Sequence, residues 1–115
     1  MLLDARKCLE DVRYRAAAIL QLQAGRTFGE FQSDISFAWA VERAFSVIGE
    51  AIRRLEKIDP TLTAEIPNYR QIISFRHVLV HGYDIVDLDV VWKVICDDVP
   101  GLLKAVDALL IAQDE

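Results

Sequence analysis

The sequence predicts an all-α protein, an up-and-down bundle of four to five helices that includes a long central helix. Apolar residues recur at helical spacing through most of the chain, and helix start and stop signals fall between the periodic segments. Strand signals are weak, because short runs such as Val78–Val80 fit helical spacing equally well. With 115 residues, 53% of them hydrophobic and 27% charged, residues 1–115 are expected to form a single globular domain.

The first predicted helix runs from about Leu3 to Ala24 and ends at Gly25, a residue typical of helix termini. Thr27 is placed to cap the next helix, and Glu30 follows three residues later, as in a capping box. The residues expected to face the core are Leu9, Val12, Ala16, Ile19, Leu20 and Gln23.

The central helix is predicted to run without interruption from about Phe28 to Ile58, and it carries two apolar stripes. The first stripe is Phe31, Ile35, Ala38, Trp39, Phe45, Gly49 and Ile52; the second is Phe37, Val41, Ala44, Ile48 and Leu55. A helix that is apolar on two flanks packs against neighbours on several sides, so we expect this one at the centre of the bundle.

The remaining helices follow from proline positions and periodicity. Asp59-Pro60 ends the central helix, because a residue before proline is disfavoured in the α region. One short turn is expected before Pro67, then a third helix from about Tyr69 to His81. The last helix, about Leu88 to Gln113, contains Pro100-Gly101 and should kink or break there.

Charge and composition restrict the class of function. The net charge of −5 disfavours a protein that coats nucleic acid, although a local basic cleft remains compatible with it. The N-terminus lacks a secretory apolar region and no run is long enough to span a membrane, so we expect a cytoplasmic protein. Cys8 and Cys96 are expected to be reduced, structural thiols, and neither a metal site nor a cofactor is expected.

The chemically richest segment places Arg76, His77, His81 and Tyr83 within eight residues. On a helical wheel Arg76 falls inside the apolar stripe of the third helix, and the two histidines stack four residues apart on one flank. A buried arginine needs a partner, so Arg76 either pairs with a carboxylate such as Glu42 or Glu50 or faces a cleft. Each residue alone also has an ordinary structural interpretation, as an ion pair, a helix-end histidine or a terminal aromatic.

The spacing Arg76, four residues, His81, one residue, Tyr83 resembles the Arg-x4-His-x-Tyr motif of HEPN-domain proteins of the HepT type. Further similar segments follow in the family's order and cover most of the chain; they are Gly25–Phe31, Ile48–Ala51, Ile66-Pro67, Ile72, Val86-Asp87, Val91-Trp92 and Val99-Pro100. The chain departs from the pattern at Asn68-Tyr69, where many relatives carry a tryptophan after the proline.

The resemblance implies the toxin of a toxin–antitoxin pair, a metal-independent endoribonuclease whose site lies at a homodimer interface. It implies catalytic roles for Arg76 on the phosphate and for His81 in proton transfer. His77 would position His81 or the phosphate, or supply a second proton-transfer group, and Tyr83 would line the pocket. The resemblance also implies a partner, an MNT-type nucleotidyltransferase antitoxin that silences the toxin, with O-AMP-tyrosine at Tyr83 as one route.

Two other interpretations of the same residues stay open. In the first, the protein is a non-catalytic dimerisation module of a nucleotidyltransferase complex, and Arg76 with the histidines binds a nucleotide or the partner. The acidic net charge favours this interpretation slightly. In the second, the bundle is purely structural and Arg76 pairs internally with Glu42 or Glu50. RNA cleavage that is lost on changing His81 would separate the ribonuclease from the non-catalytic module. A folded monomer with Arg76 sealed inside would support the structural bundle.

Overall fold

The computed structural model describes residues 1–80 and 87–114, with side chains described for residues 1–75 and 87–112. Within these residues the chain forms seven helices and no strand, which confirms the all-α prediction. The helices are α1 (Leu3–Gln23), α2 (Phe28–Ser33), α3 (Ile35–Ile58), α4 (Pro60–Thr63), α5 (Tyr69–Val80), α6 (Leu88–Asp97) and α7 (Val99–Asp114).

The turn between α1 and α2 follows the predicted signals. Gly25 has φ +72°, a left-handed conformation that favours glycine, and it directly follows Ala24, the C-cap of α1. The Thr27 hydroxyl accepts a hydrogen bond from the Glu30 backbone N–H at 3.2 Å, so Thr27 is the N-cap of α2. The predicted cap is therefore confirmed.

The prediction of one uninterrupted helix from Phe28 to Ile58 is wrong, because Asp34 divides it into α2 and α3. The backbone N–H of Asp34 still donates to the Glu30 carbonyl, 3.0 Å away, which closes α2. Its carboxylate accepts from the N–H groups of Ser36 and Phe37 at 3.0 and 3.2 Å, which starts a new helix. One extended residue thus ends one helix and caps the next.

Aspartates also lie at the later helix boundaries. Asp59 closes α3, and its carboxylate accepts from the Leu62 N–H at 3.0 Å, so the predicted short turn is the helix α4. The predicted break near Pro100-Gly101 is confirmed, but it lies at Asp98, the C-cap of α6. Pro100 sits in the first turn of α7, where its missing N–H breaks no helical hydrogen bond.

Helices α1 and α3 form the centre of the bundle and run antiparallel. Arg26, just past the end of α1, lies over the Phe37 ring near the start of α3, while Asp11 and Arg54 border one groove farther along. Helix α7 packs on α1, and α5 packs on α3. At one end Phe28, Phe31, Phe37 and Trp92 join α2, α3 and α6 through ring contacts of 5.0 to 6.3 Å.

Burial confirms one predicted stripe of the central helix and corrects the other. All five members of the second stripe are buried. In the first stripe Ile35 and Trp39 are instead 61% and 63% exposed. Both lie near the start of α3 on a flank that no other described helix covers, so helical spacing alone assigned them to the core wrongly. The core residues predicted for α1 are buried except Leu20 and Gln23, which are half-buried.

Two smaller expectations can be compared with the structure. Both cysteines are free, Cys8 buried beside Leu9 in the core and Cys96 exposed on α6, so a packing role is limited to Cys8. None of the described helices combines the length and the apolar character that a membrane span requires.

Candidate functional site

The structure places half of the predicted motif on a helix. The backbones of Arg76 and His77 are helical and belong to α5, immediately after Phe75. Their side chains are outside the described part of the chain, and so are His81 and Tyr83 entirely. The assignment of these four residues therefore stays a prediction, and what the structure supplies is the surface around them.

Helix α5 is fixed to α3 by an aromatic contact one residue before Arg76. The Phe75 ring meets the Phe45 ring edge-on, with centroids 5.1 Å apart and planes at 90°. Phe45 is almost fully buried, whereas Phe75 is half-buried. This pair sets the position of α5 at the point where the motif begins.

The two helices run antiparallel. If α5 ran parallel to α3, the contact between Phe45 and Phe75 would place the start of α5 about 28 Å from Ile58, because each helical residue rises about 1.5 Å. The connection cannot reach that far, because residues 59–66 fold into successive turns closed by backbone hydrogen bonds of 3.0 to 3.1 Å. In the antiparallel arrangement Arg76 lies level with Ala44, and Val80 lies level with Ala40.

In its part with described side chains, residues 69–75, helix α5 is covered on one side only. Its described apolar side chains, Tyr69, Ile72, Ile73 and Phe75, are all half-buried, and none is in the fully buried core. Among the described residues its substantial packing is against α3. Over residues 69–75, the helix that carries Arg76 and His77 is therefore partly exposed.

Glu42 is better placed than Glu50 to pair with Arg76. Around the α3 axis Glu42 lies about 60° from Phe45, which faces α5, whereas Glu50 lies about 140° away. Glu42 is half-buried, and burial raises the pKa of its carboxyl group. Among the residues with described side chains, no cation lies within ion-pairing distance of this carboxylate. Glu42 remains the stronger of the two candidate partners that the sequence suggested.

A groove of about 350 Å³ lies beside Phe75, between α5 and the α6–α7 junction. Its floor is apolar, with Phe45, Ile72 and Leu102, and its rim carries Asp97 and Asp98. Two carboxylates at the rim repel phosphate, so this groove is poorly suited to the backbone of an RNA strand. Sequence reasoning did not find it, because its walls come from segments that are distant in the chain.

The departure of the sequence from the family pattern has a local structural role. Asn68 adopts φ 58°, a left-handed conformation that asparagine tolerates better than most residues. Its carbonyl accepts the first hydrogen bond of α5, from the Ile72 N–H at 3.1 Å. Asn68 thus turns the chain into the helix that carries the motif.

The described side chains contain no cluster of three His, Cys, Asp or Glu groups that could hold a metal ion. Both histidines of the chain lie outside that part, so the expectation of a metal-free site is not tested by this observation. An RNA cleavage assay in the presence of a chelator would test that expectation.

Comparison with known proteins decides the family. A model of the family described as "Ribonuclease HepT-like" matches residues 12–109, which include α5 and all four motif residues. The chain belongs to this family. Membership agrees with the resemblance seen in the sequence, and it assigns the HepT-like chain to a family of ribonucleases.

Individual relatives agree with the family match over nearly their whole length. A protein of Thermococcus cleftensis named a probable ribonuclease HepT is 34% identical over 94 residues, 82% of this chain and 84% of the relative. A protein of Methanocaldococcus jannaschii named as a candidate RNase is 28% identical over 106 residues, 90% of this chain and 94% of the relative. Another candidate RNase, from Caldanaerobacter subterraneus, is 28% identical over 105 residues. No solved structure matches significantly.

Proposed function

We propose that this HepT-like chain is the toxin of a toxin–antitoxin pair, an endoribonuclease that cleaves RNA without a metal ion. The observation that carries the proposal is the family match across α5, a half-covered surface helix on which Arg76 and His77 are consecutive. The half-burial of the preceding residues 69–75 agrees with this proposal, and the family supplies the reaction class.

The proposed chemistry uses the RNA as its own nucleophile. His81 accepts the proton of a ribose 2′-hydroxyl, which attacks the adjacent phosphate, and the 5′-oxygen of the next nucleotide leaves with a proton. Arg76 binds the phosphate through two N–H groups and stabilises the charge that develops on it. His77 positions His81 or the phosphate, or protonates the leaving oxygen. The products are a 2′,3′-cyclic phosphate and a 5′-hydroxyl.

A homodimer would complete this site. Over residues 69–75, helix α5 is packed on α3 on one side and is open on the other, so a second copy can lie along that open side. Two copies of Arg76 would then meet in one groove and give a local positive field on a protein with a net charge of −5. The charge of the whole chain would not oppose RNA binding at that groove.

The proposed antitoxin is an MNT-type nucleotidyltransferase that adds AMP to Tyr83. The phenol lies two residues after His81 in the sequence, so a phosphate attached to it would bring negative charge to the RNA site. Repulsion of the RNA backbone and the bulk of the nucleotide would both block the reaction.

A non-catalytic module remains the second candidate, and the acidic net charge is the observation that favours it. In that case Arg76 and the two histidines would bind a nucleotide or the partner, and the protein would act as the dimerisation unit of a nucleotidyltransferase complex. Both candidates predict a dimer and the same partner, so only the reaction separates them.

The deciding experiment is cleavage of RNA by the purified protein in excess EDTA, after mass spectrometry has checked Tyr83 for added AMP. Wild type is compared with Arg76→Ala, His81→Ala and a control, Arg15→Ala, on α1 away from α5. Cleavage by wild type and the control, with cyclic phosphate ends, and its loss in the other two variants would establish the proposal. An unmodified dimer that cleaves nothing would favour the non-catalytic module.

A further inference from the structure

We propose that Trp39 and Arg43 form a nucleotide-binding unit on α3 that holds the RNA strand beside the motif segment. The indole of Trp39 stacks on a base, and the guanidinium of Arg43 binds a neighbouring phosphate. This inference rests on the proposed function, since it names residues outside the motif that hold the substrate of the same site.

The unit lies next to the end of the helix that carries Arg76 and His77. In the antiparallel pairing of α3 and α5, Val80 is level with Ala40, so Trp39 lies about one residue past that end of α5. Around α3 it lies about 120° from Phe45, on the open side of the helix. With helix axes 8–10 Å apart, its ring lies about 12 Å from the axis of α5. That distance corresponds to one or two nucleotides of a single strand.

The high exposure of the Trp39 side chain agrees with a role in binding a ligand. Its side chain is 63% exposed, and it makes no ring contact with any aromatic side chain of the described part. The other tryptophan, Trp92, is half-buried among three phenylalanines. A fully buried tryptophan hides roughly 150–250 Å² of surface, so Trp39 leaves on the order of 150 Å² in water. An indole face of this size matches the face of one base.

Arg43 supplies the charge. It follows Trp39 by four residues, so the two side chains are neighbours on the same open face of α3. Arg43 is exposed, and within the described part of the chain no carboxylate lies within 4 Å of its guanidinium. Arg43 also borders the groove that Asp11, Glu50 and Arg54 line, so carboxylates lie nearby without pairing with it. An aromatic ring beside a cation that is not ion-paired is an arrangement by which proteins bind single-stranded nucleic acid.

The size of the exposed surface favours a base over a second copy of the chain as its occupant. Trp39 and the adjacent Ile35 together expose on the order of 250 Å², below the largest patch of an ordinary monomer. A stable dimer needs about 800 Å² per partner, so these two side chains alone cannot form one. A single base needs no more surface than Trp39 offers.

The first test measures binding, separately from cleavage. A short single-stranded oligoadenylate with a fluorescent end label is titrated, by anisotropy, into His81→Ala protein that also carries Trp39→Leu, Trp39→Tyr or Arg43→Gln. The control is Tyr14→Leu, which removes another exposed ring, 71% exposed, on α1. We expect a roughly 5- to 150-fold rise in Kd for Trp39→Leu, little change for Trp39→Tyr and none for the control. Arg43→Gln should lower the slope of log Kd against log salt by about 0.7.

Stacking itself is read from indole fluorescence in a Trp92→Phe background, where Trp39 is the only tryptophan left. The oligoadenylate should quench it, and inorganic polyphosphate, which has charge and no base, should not. An unchanged Kd for Trp39→Leu would overturn the proposal, as would weaker binding that accompanies loss of the dimer in light scattering, because Trp39 would then contact a second copy. If binding depends on Trp39 and wild type cleaves nothing, the ribonuclease proposal fails and this one stands.

Discussion

The contact between Phe45 and Phe75 should hold α5 on the bundle, and a double-mutant cycle can measure it. The perturbations are Phe45→Leu, Phe75→Leu and the two together, which remove the rings and keep most of the apolar volume. Because the rings meet edge-on at 5.1 Å, they should couple by about 0.5–1.5 kcal/mol beyond the area that each one buries. The double variant should therefore be more stable than the sum of the single effects predicts.

The single effects follow from burial. Phe45 is only 3% exposed, so its replacement should lower the free energy of unfolding by about 1–1.5 kcal/mol. Phe75 is half-buried, so the burial part of its effect should be about half as large, and the loss of the ring coupling adds to both single effects. Each kcal/mol corresponds to about 4 °C in the melting temperature of a chain of this size. Cleavage of RNA should fall with Phe75→Leu, because Arg76 is the next residue on the helix.

Urea unfolding at 25 °C, followed by circular dichroism, gives the four free energies. The matched control pairs Phe45→Leu with Tyr14→Leu, whose ring lies exposed on α1, and this pair should be additive. Additivity within about 0.3 kcal/mol for Phe45 and Phe75 as well would refute the reasoning, since it would mean that the rings do not meet in solution.

Three further predictions concern single residues. Burial raises the pKa of Glu42, because it disfavours the charged carboxylate in the folded state. The wild-type free energy of unfolding should therefore be highest below the unfolded pKa, where the group is protonated, and should fall as the pH rises. Glu42→Gln should be more stable than wild type at about pH 7 and equal to it below about pH 4. Urea unfolding at both pH values checks this, and a less stable variant at the higher pH would show that a cation pairs with Glu42. Gly25→Ala should lower the free energy of unfolding by about 1 kcal/mol, because φ is +72° at this position. Gly25→Asn should lose less, as measured by thermal melting. Equal losses for the two variants would contradict the backbone explanation. Cys96 should react with maleimide in native protein while Cys8 does not, since burial raises the pKa of the Cys8 thiol, and labelling of both in mass spectrometry would contradict the packing of α1.

The elements that local chemistry specifies were predictable from the sequence. Gly25, Thr27 and Asp59-Pro60 each act through a backbone requirement that depends on one or two residues, and the structure confirms all three. The break at Asp34 was missed because apolar periodicity continues across it, and its only signal is an aspartate that can cap a helix.

Burial at the surface of the bundle was harder to predict than helix position. Ile35 and Trp39 have the spacing of core residues, but which flank of α3 is covered depends on where α1 and α5 pack, and helical periodicity carries no such information. For the candidate site, the sequence identified the helix that carries Arg76 and His77, and family membership supports the activity. The acidic groove beside Phe75 arises from distant segments and had no local signal.

The one-sided packing of α5 has a consequence for the dynamics of the protein. Within the described part of the chain, α1, α3 and α7 share the fully buried core, whereas α5 contributes only half-buried side chains and packs chiefly on α3. Such a helix can open as a separate cooperative unit at a lower free energy than global unfolding. Native-state hydrogen exchange should therefore find the amides of Ile72–Phe75 less protected than those of Val12–Ala16. A ligand that binds only the closed form would slow this exchange, which makes α5 an element that a partner can control while the core stays folded.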